Sequence, residues 1–98
     1  MMSKGYYIYA LIDPRDGTAF YIGKTTNPAA RMWKHRGLSG ITENAAKKDR
    51  VRELLGLTLV PQMQILEEVS WRQSSQREIF WIREYASLGH HLTNIRGR

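Results

Sequence analysis

The stretch that decides the fold is Tyr6-Tyr7-Ile8-Tyr9-Ala10-Leu11-Ile12-Asp13-Pro14-Arg15-Asp16-Gly17-Thr18-Ala19-Phe20-Tyr21-Ile22-Gly23. Residues 6–13 are rich in aromatic and β-branched side chains, which suit a pleated, half-buried surface, and read as a strand. Pro14-Arg15-Asp16-Gly17 is a turn, because proline presets φ and glycine accepts a positive φ. Ala19 to Gly23 reads as the returning strand, so the stretch is a β-hairpin. Side chains alternate between the faces of a strand. Ile8, Ala10 and Ile12 then share one face, with Phe20 and Ile22 as their partners. Tyr7, Tyr9 and Leu11 share the other, with Tyr21 and Gly23. Pairing the aliphatic faces over a core brings Tyr9 and Tyr21 together on the opposite side. That pairing requires an odd-numbered loop, expected as a bulge at Gly17. A two-residue turn at Arg15-Asp16 would separate the tyrosines.

Working outward, Asn27 is a good N-cap and Pro28 suits the first helical position, which predicts a helix to about Gly37. Residues 44–55 predict a second helix stopped by Gly56. Leu59 to Val69 reads as a third strand, with Pro61 marking an edge position. Ser74 to about Leu88 is the last helix, with Trp81, Ile82, Tyr85 and Leu88 at helical spacing and Gly89 as its stop. The order is β-β-α-α-β-α, an α+β domain with a small three-stranded antiparallel sheet flanked by helices.

The chain has 98 residues, 42% of them hydrophobic and 24% charged, which is one small globular domain rather than a disordered segment. It has no cysteine, which excludes a disulfide framework and a thiolate zinc site and fits a reducing, cytoplasmic setting, nucleoid-associated in a bacterium. No apolar run spans a bilayer and no secretory h-region is expected, so no membrane is expected as partner. Fifteen Lys and Arg against nine Asp and Glu give a net charge of +6 and a pI near 10.0. A small domain so basic attracts polyanions, nucleic acid first.

Two phenols side by side are commonly just a stabilising cross-strand pair. The neighbourhood changes that. Lys24 follows Tyr21 and Gly23 closely, and a cation beside a phenol favours the phenolate, which can serve as general base on water. Arg31 and His35 stand at i and i+4 on one helical face. The Arg fork suits phosphate, and His transfers a proton near neutral pH or bonds a phosphate oxygen. With Lys34 and Arg36 they also make an ordinary solvated basic face. Glu78 competes between two roles. Ser75-x-x-Glu78 has capping-box spacing, and a lone carboxylate near cations is also the hard oxygen ligand Mg²⁺ takes. Asn94, after Gly89, reads as a turn residue or a phosphate ligand. His90 and His91 are adjacent and do not converge easily on one metal. Trp33 and Trp71 are candidates for base stacking, and Trp81 for the core. Lys47, Lys48, Arg50 and Arg52, within segment 39–52, form the candidate basic contact surface, or a solvated helix.

These residues, in this order, resemble the GIY-YIG nuclease family. Tyr7-Ile8-Tyr9 stands at the Gly-Ile-Tyr half of the motif and Tyr21-Ile22-Gly23 is the other half. Arg31, with His35 one turn later, matches the family's helical Arg. Glu78 ahead of Trp81-Ile82 matches its metal-binding Glu, and Asn94 its terminal Asn. Tyr7 in place of glycine is the one departure, at a position not expected to do chemistry. The resemblance spans Tyr6 to Asn94 and makes residues 1–98 a single nuclease domain.

The resemblance implies a Mg²⁺- or Mn²⁺-dependent DNA endonuclease. In it Glu78 holds the metal and Tyr21 is the general base, with its pKa lowered by Lys24. Tyr9 positions water or phosphate, Arg31 neutralises phosphoryl charge, His35 supports the phosphate or exchanges a proton with Tyr9, and Asn94 fixes the phosphate or Glu78. Which phenol is the base stays open. Lys24, Arg31, Lys34, Lys47, Lys48 and Arg50 are the expected DNA contacts. A protein partner or self-association is expected to supply specificity. The rival is a catalytically silent basic nucleic-acid-binding module of the same fold, and a third reading is a protein-binding adaptor, which leaves the charge unexplained.

Overall fold

The hairpin forms as β1 (Tyr6–Ile12) and β2 (Ala19–Thr25), joined by a turn in which Gly17 takes φ +76°. The Asp13 carbonyl accepts from the Gly17 N–H at 2.8 Å, and the Asp13 N–H donates to the Thr18 carbonyl at 2.8 Å. The computed structural model describes residues 5–37 and 45–94, with backbone only for 33–37 and 45. Helix α1 (Pro28–Gly37) and helix α2 (Ala45–Gly56) follow. Then come β3 (Gln62–Val69), a 3₁₀ turn at Trp71–Gln73 and helix α3 (Ser74–Ser87). The expected β-β-α-α-β-α order and α+β class therefore hold, and the 3₁₀ turn is an addition to it. Strand order is β2-β1-β3, antiparallel throughout, so β3 is an edge, as Pro61 indicated.

Two bulges set which side chains face where. Leu11 pairs with Tyr21 but Ile12 pairs with Ala19, so Phe20 is the extra residue. The odd parity thus comes from a bulge at Phe20, not at Gly17. Phe20 consequently leaves the Ile22 face, where simple alternation placed it, and packs with Tyr9 and Leu11. On the other side of β1, Ile8 pairs with Glu67 and Tyr9 with Ile65, leaving Leu66 as the extra residue of β3.

Both sheet faces are covered. Ile8, Ala10, Ala19, Ile22 and Val69 pack with Ile82, Trp81 and Tyr85 of α3. Tyr9, Leu11 and Phe20 pack with Val51 and Leu54 of α2 and Met32 of α1. Fully buried aliphatic side chains such as Ile8, Leu11, Ile22 and Leu54 contribute roughly 1.5–3 kcal/mol each. The tyrosine face is therefore the floor of a second, helix-covered layer, which is why a phenol on it can be fully buried.

Candidate active site

The bulge at Phe20 and the pairing of Tyr9 with Gly23 put both phenols on one face, as parity required. Their ring centroids are 6.2 Å apart and the planes tilt by 46°. Gly23 makes that approach feasible. A β-carbon there would lie 2.5 Å from the Tyr9 Oη and 2.8 Å from the Tyr21 ring. Tyr7, which stands where the motif has glycine, lies in ordinary strand backbone paired to Thr25 and Glu68, so its side chain costs no strain.

Arg31 and Glu78 reach the same place from opposite layers. The Asn27 side chain caps α1 by accepting from the Ala30 N–H at 3.1 Å, and the Asn27 carbonyl accepts from the Arg31 N–H at 3.0 Å. This sets the first turn, from which the Arg31 guanidinium acts on the Tyr9 phenol and favours its ionised form. Glu78 acts on the same phenol electrostatically. Burial pushes the Tyr9 pKa far above the ordinary tyrosine range, the Tyr21 phenol pushes the same way, and Arg31 opposes them. The capping-box role of Glu78 does not form. Helix α3 begins at Ser74, capped from Gln73 without a side-chain bond, and Ser75 lies inside it. Four of the sequence-predicted residues, Tyr9, Tyr21, Arg31 and Glu78, thus share one electrostatic neighbourhood.

The model of the GIY-YIG catalytic domain matches residues 5–94. The chain belongs to the GIY-YIG family. Searches of curated proteins and of solved structures return no match. The family consists of endonucleases that act on DNA and generally use a divalent metal. Among the described residues no helix is long and apolar enough to cross a membrane.

For the other GIY-YIG motif residues the geometry departs from the sequence reading. Lys24 pairs with Ile8 on the α3 side of the sheet. Its ammonium donates to the Ser75 hydroxyl at 2.6 Å and the Ser74 hydroxyl at 3.3 Å, tying β2 to the start of α3. The cation against Tyr21 is Lys47 of α2 instead, with Nζ 3.9 Å from the ring centroid. A signal for this was present: Lys47 stands four and seven residues before the buried Val51 and Leu54, on the apolar stripe of α2.

Asn94 is spent on the main chain of Ile22. Its Oδ1 accepts from the Ile22 N–H at 2.9 Å and its Nδ2 donates to the Ile22 carbonyl at 2.8 Å. It continues a strap along the outer edge of β2. There the Thr93 N–H donates to the Phe20 carbonyl at 2.7 Å, and His90 Nδ1 accepts from the Ala19 N–H at 2.9 Å. His90, read as a loop residue, is thus a clasp, with its ring 4.9 Å from Tyr85.

Arg50 is also re-assigned. It pairs with the buried Asp13 at 3.2 Å, and Arg15 binds the same carboxylate at 2.7 Å. This buried carboxylate beside the hairpin turn was missed because Asp13 reads simply as the end of the first strand. Lys48 is half-buried and Arg52 is exposed. The side chains of Lys34 and His35, on α1, lie outside the described residues, as does segment 38–44. Trp81 is core, and its indole donates to Glu67 at 2.9 Å, whereas Trp71 is exposed.

Among the described residues no three His, Cys, Asp or Glu side chains gather into a metal cage. One carboxylate beside two phenols is nonetheless a hard-oxygen donor set. It suits Mg²⁺, which keeps most of its waters and takes one or two carboxylates plus substrate phosphate.

Proposed function

We propose that this chain is a metal-dependent endonuclease that hydrolyses DNA phosphodiester bonds at the Tyr9, Tyr21, Arg31 and Glu78 cluster. The observation that carries this reading is that the Arg31 cation and the Glu78 carboxylate both act on one buried phenol, Tyr9.

The environments divide the work between the phenols. Tyr9 is held in its neutral form by burial, so it is the hydrogen-bond donor of the pair; it is fully covered in the free chain and orients water or a phosphoryl oxygen only once DNA is bound. Tyr21, half-buried beside an ammonium, is then the general base. It takes a proton from the attacking water as the new phosphorus–oxygen bond forms and the bond to the 3′-oxygen breaks, and the leaving 3′-oxygen takes its proton from solvent. The products are a 5′-phosphate and a 3′-hydroxyl. Arg31 neutralises charge on the phosphoryl oxygens. His35, one turn along α1, supports the phosphate or exchanges a proton with Tyr9. Asn94 acts on Ile22 and so aims Tyr21 and Gly23 to either side of it. Glu78 would hold Mg²⁺ or Mn²⁺, whose chemistry is Lewis-acid stabilisation of the phosphoryl and leaving oxygens. Lys34 and Lys48 serve as phosphate contacts, and binding weakens with salt. Sequence specificity comes from a protein partner or from self-association.

The test is cleavage of supercoiled plasmid and branched DNA with Mg²⁺ or Mn²⁺, run beside Glu78→Ala. Metal-dependent nicking that disappears in Glu78→Ala, with DNA binding intact, supports the reading. Binding without cleavage by the native chain on every substrate would leave it a basic binding module.

A further inference from the structure

Lys47 is the one basic residue of α2 that is buried, among those described: it is 7% exposed. Its position four and seven residues before Val51 and Leu54 directs it to the sheet rather than to solvent. There its Nζ sits 3.9 Å from the centroid of the Tyr21 ring. Covering an ammonium is costly unless something replaces its water. An aromatic face does so in part, most strongly when the pair is desolvated. An ammonium placed this way does not reach out to a DNA phosphate. The groups around Tyr21 come from every layer: Tyr9 from β1, Lys47 from α2, and, through Tyr9, Arg31 from α1 and Glu78 from α3. Tyr21 follows a bulge residue, so the strand ladder alone holds it less firmly than its neighbours.

We infer that Lys47 is a positioning residue of the nuclease site, whose buried ammonium seats on the Tyr21 ring and fixes the aim of that phenol. The inference rests on the reading of Tyr21 as the general base. It gives α2 a part in the chemistry that its basic surface pattern does not suggest.

Lys47→Met keeps the length of the side chain and removes the charge, while Lys47→Arg keeps a cation that can lie on the ring. Lys47→Met is expected to lower kcat roughly tenfold to a hundredfold, the usual range for a misaimed reacting group. KM for DNA should stay within about twofold, because no uniform binding is lost. The slope of log affinity against log salt should not change, and Lys47→Arg should recover most of kcat. Native kcat in Lys47→Met overturns the inference. So does a Lys47→Met whose salt slope falls by about one charge, the mark of a phosphate contact.

A second measurement needs no activity. In the native protein the Lys47 Cε protons should show an upfield ring-current shift by NMR, and Tyr21→Leu should abolish it. An absent shift in the native protein overturns the inference even if Lys47→Met fails to fold. A shift that is present in a chain that cleaves nothing supports the seat of Lys47 and rejects the proposed reaction instead.

Discussion

Gly23 faces Tyr9 across the hairpin so closely that a β-carbon at residue 23 would lie 2.5 Å from the phenol oxygen and 2.6 Å from the ring carbon that bears it. The glycine of the second motif half is therefore a steric requirement of the phenol pair, not a demand of the backbone. Gly23→Ala must push Tyr9 or Tyr21 aside. It is expected to destabilise the fold by about 1–3 kcal/mol, as overpacking a filled site does. It should also lower the cleavage rate roughly a hundredfold by misplacing a reacting group. Denaturant unfolding and plasmid nicking measure the two losses. Native activity in Gly23→Ala would mean that the phenol pair is not the reaction centre.

Tyr9 is kept protonated by burial, so its ionisation cannot set the pH dependence of the rate near neutrality. Tyr9→Phe should cost roughly a hundredfold in rate, the usual loss when one preorganised donor is removed. The rising limb of its pH profile should stay where the native protein has it. Linkage gives a second readout. The folded-state pKa lies above the ordinary value of 10.0, so the native state holds its proton more tightly. That stability is fully present below pH 10 and is lost as pH rises further. Stability measured from pH 9 upward should fall less steeply in Tyr9→Phe than in the native protein.

Asp13 works at the acid end. The Arg15 side chain beside it holds its carboxyl below the ordinary value of 3.8, against the opposing effect of burial, with further help from the Arg15 N–H and from Arg50. A depressed carboxylate contributes stability that is present above 3.8 and lost as pH falls through the folded-state value. Asp13→Asn leaves Arg15 and Arg50 without their shared anion and unties α2 from the hairpin turn. Breaking a buried pair costs about 3–5 kcal/mol. Both arginine heads keep some access to water, so a loss of roughly 2–3 kcal/mol is expected here. The stability gap between the two proteins should be full at pH 7, begin to narrow as pH falls below 3.8, and close only below the folded-state value.

Thr58 is the sole non-glycine residue with positive φ among those described, at 60°. It ends α2: its N–H donates to the Leu55 carbonyl and the Leu59 N–H to the Leu54 carbonyl, the pattern in which glycine is usual. Left-handed backbone costs a β-branched residue about 1–2 kcal/mol. Thr58→Gly should therefore stabilise the domain, by somewhat less than that after the entropy cost of glycine. An increase in denaturant midpoint with unchanged activity is the expected result.

The hairpin was legible because alternation is a strict rule, and pairing the aliphatic faces places the two phenols on one face provided that the loop has odd parity. The place of the bulge was not legible. Phe20 gains a buried position against Val51 and Leu54 by becoming the extra residue, which is a tertiary effect with no local signature. Gly56 reads as the stop of α2 and is its last residue, but the left-handed turn that closes the helix comes two residues later at Thr58, where the carbonyls of Leu54 and Leu55 find donors. At the site, Tyr9, Tyr21, Arg31 and Glu78 follow from motif order. The assignment of Lys24 to Tyr21 did not survive, and its failure could have been foreseen. Residues 21 and 24 are three apart on a strand, so they point to opposite faces.

Asn94 separates positioning from phosphate binding most cleanly. Its amide bonds both polar atoms of the Ile22 main chain, in the middle of the Tyr21-Ile22-Gly23 motif. Asn94→Ala removes two hydrogen bonds and opens the β2 edge, at a cost of about 1–3 kcal/mol. Asn94→Asp is the sharper variant. It keeps an oxygen for the Ile22 N–H but sets a second oxygen against the Ile22 carbonyl, so it should be at least as damaging as alanine. A phosphate ligand behaves differently: either variant would weaken DNA binding, with aspartate worst because it repels the phosphate at long range. The expected outcome is a lower melting temperature and a lower kcat in both variants. KM and the salt dependence of binding should match the native protein, because the groups that meet the DNA are untouched while the strand carrying them has lost its clasp.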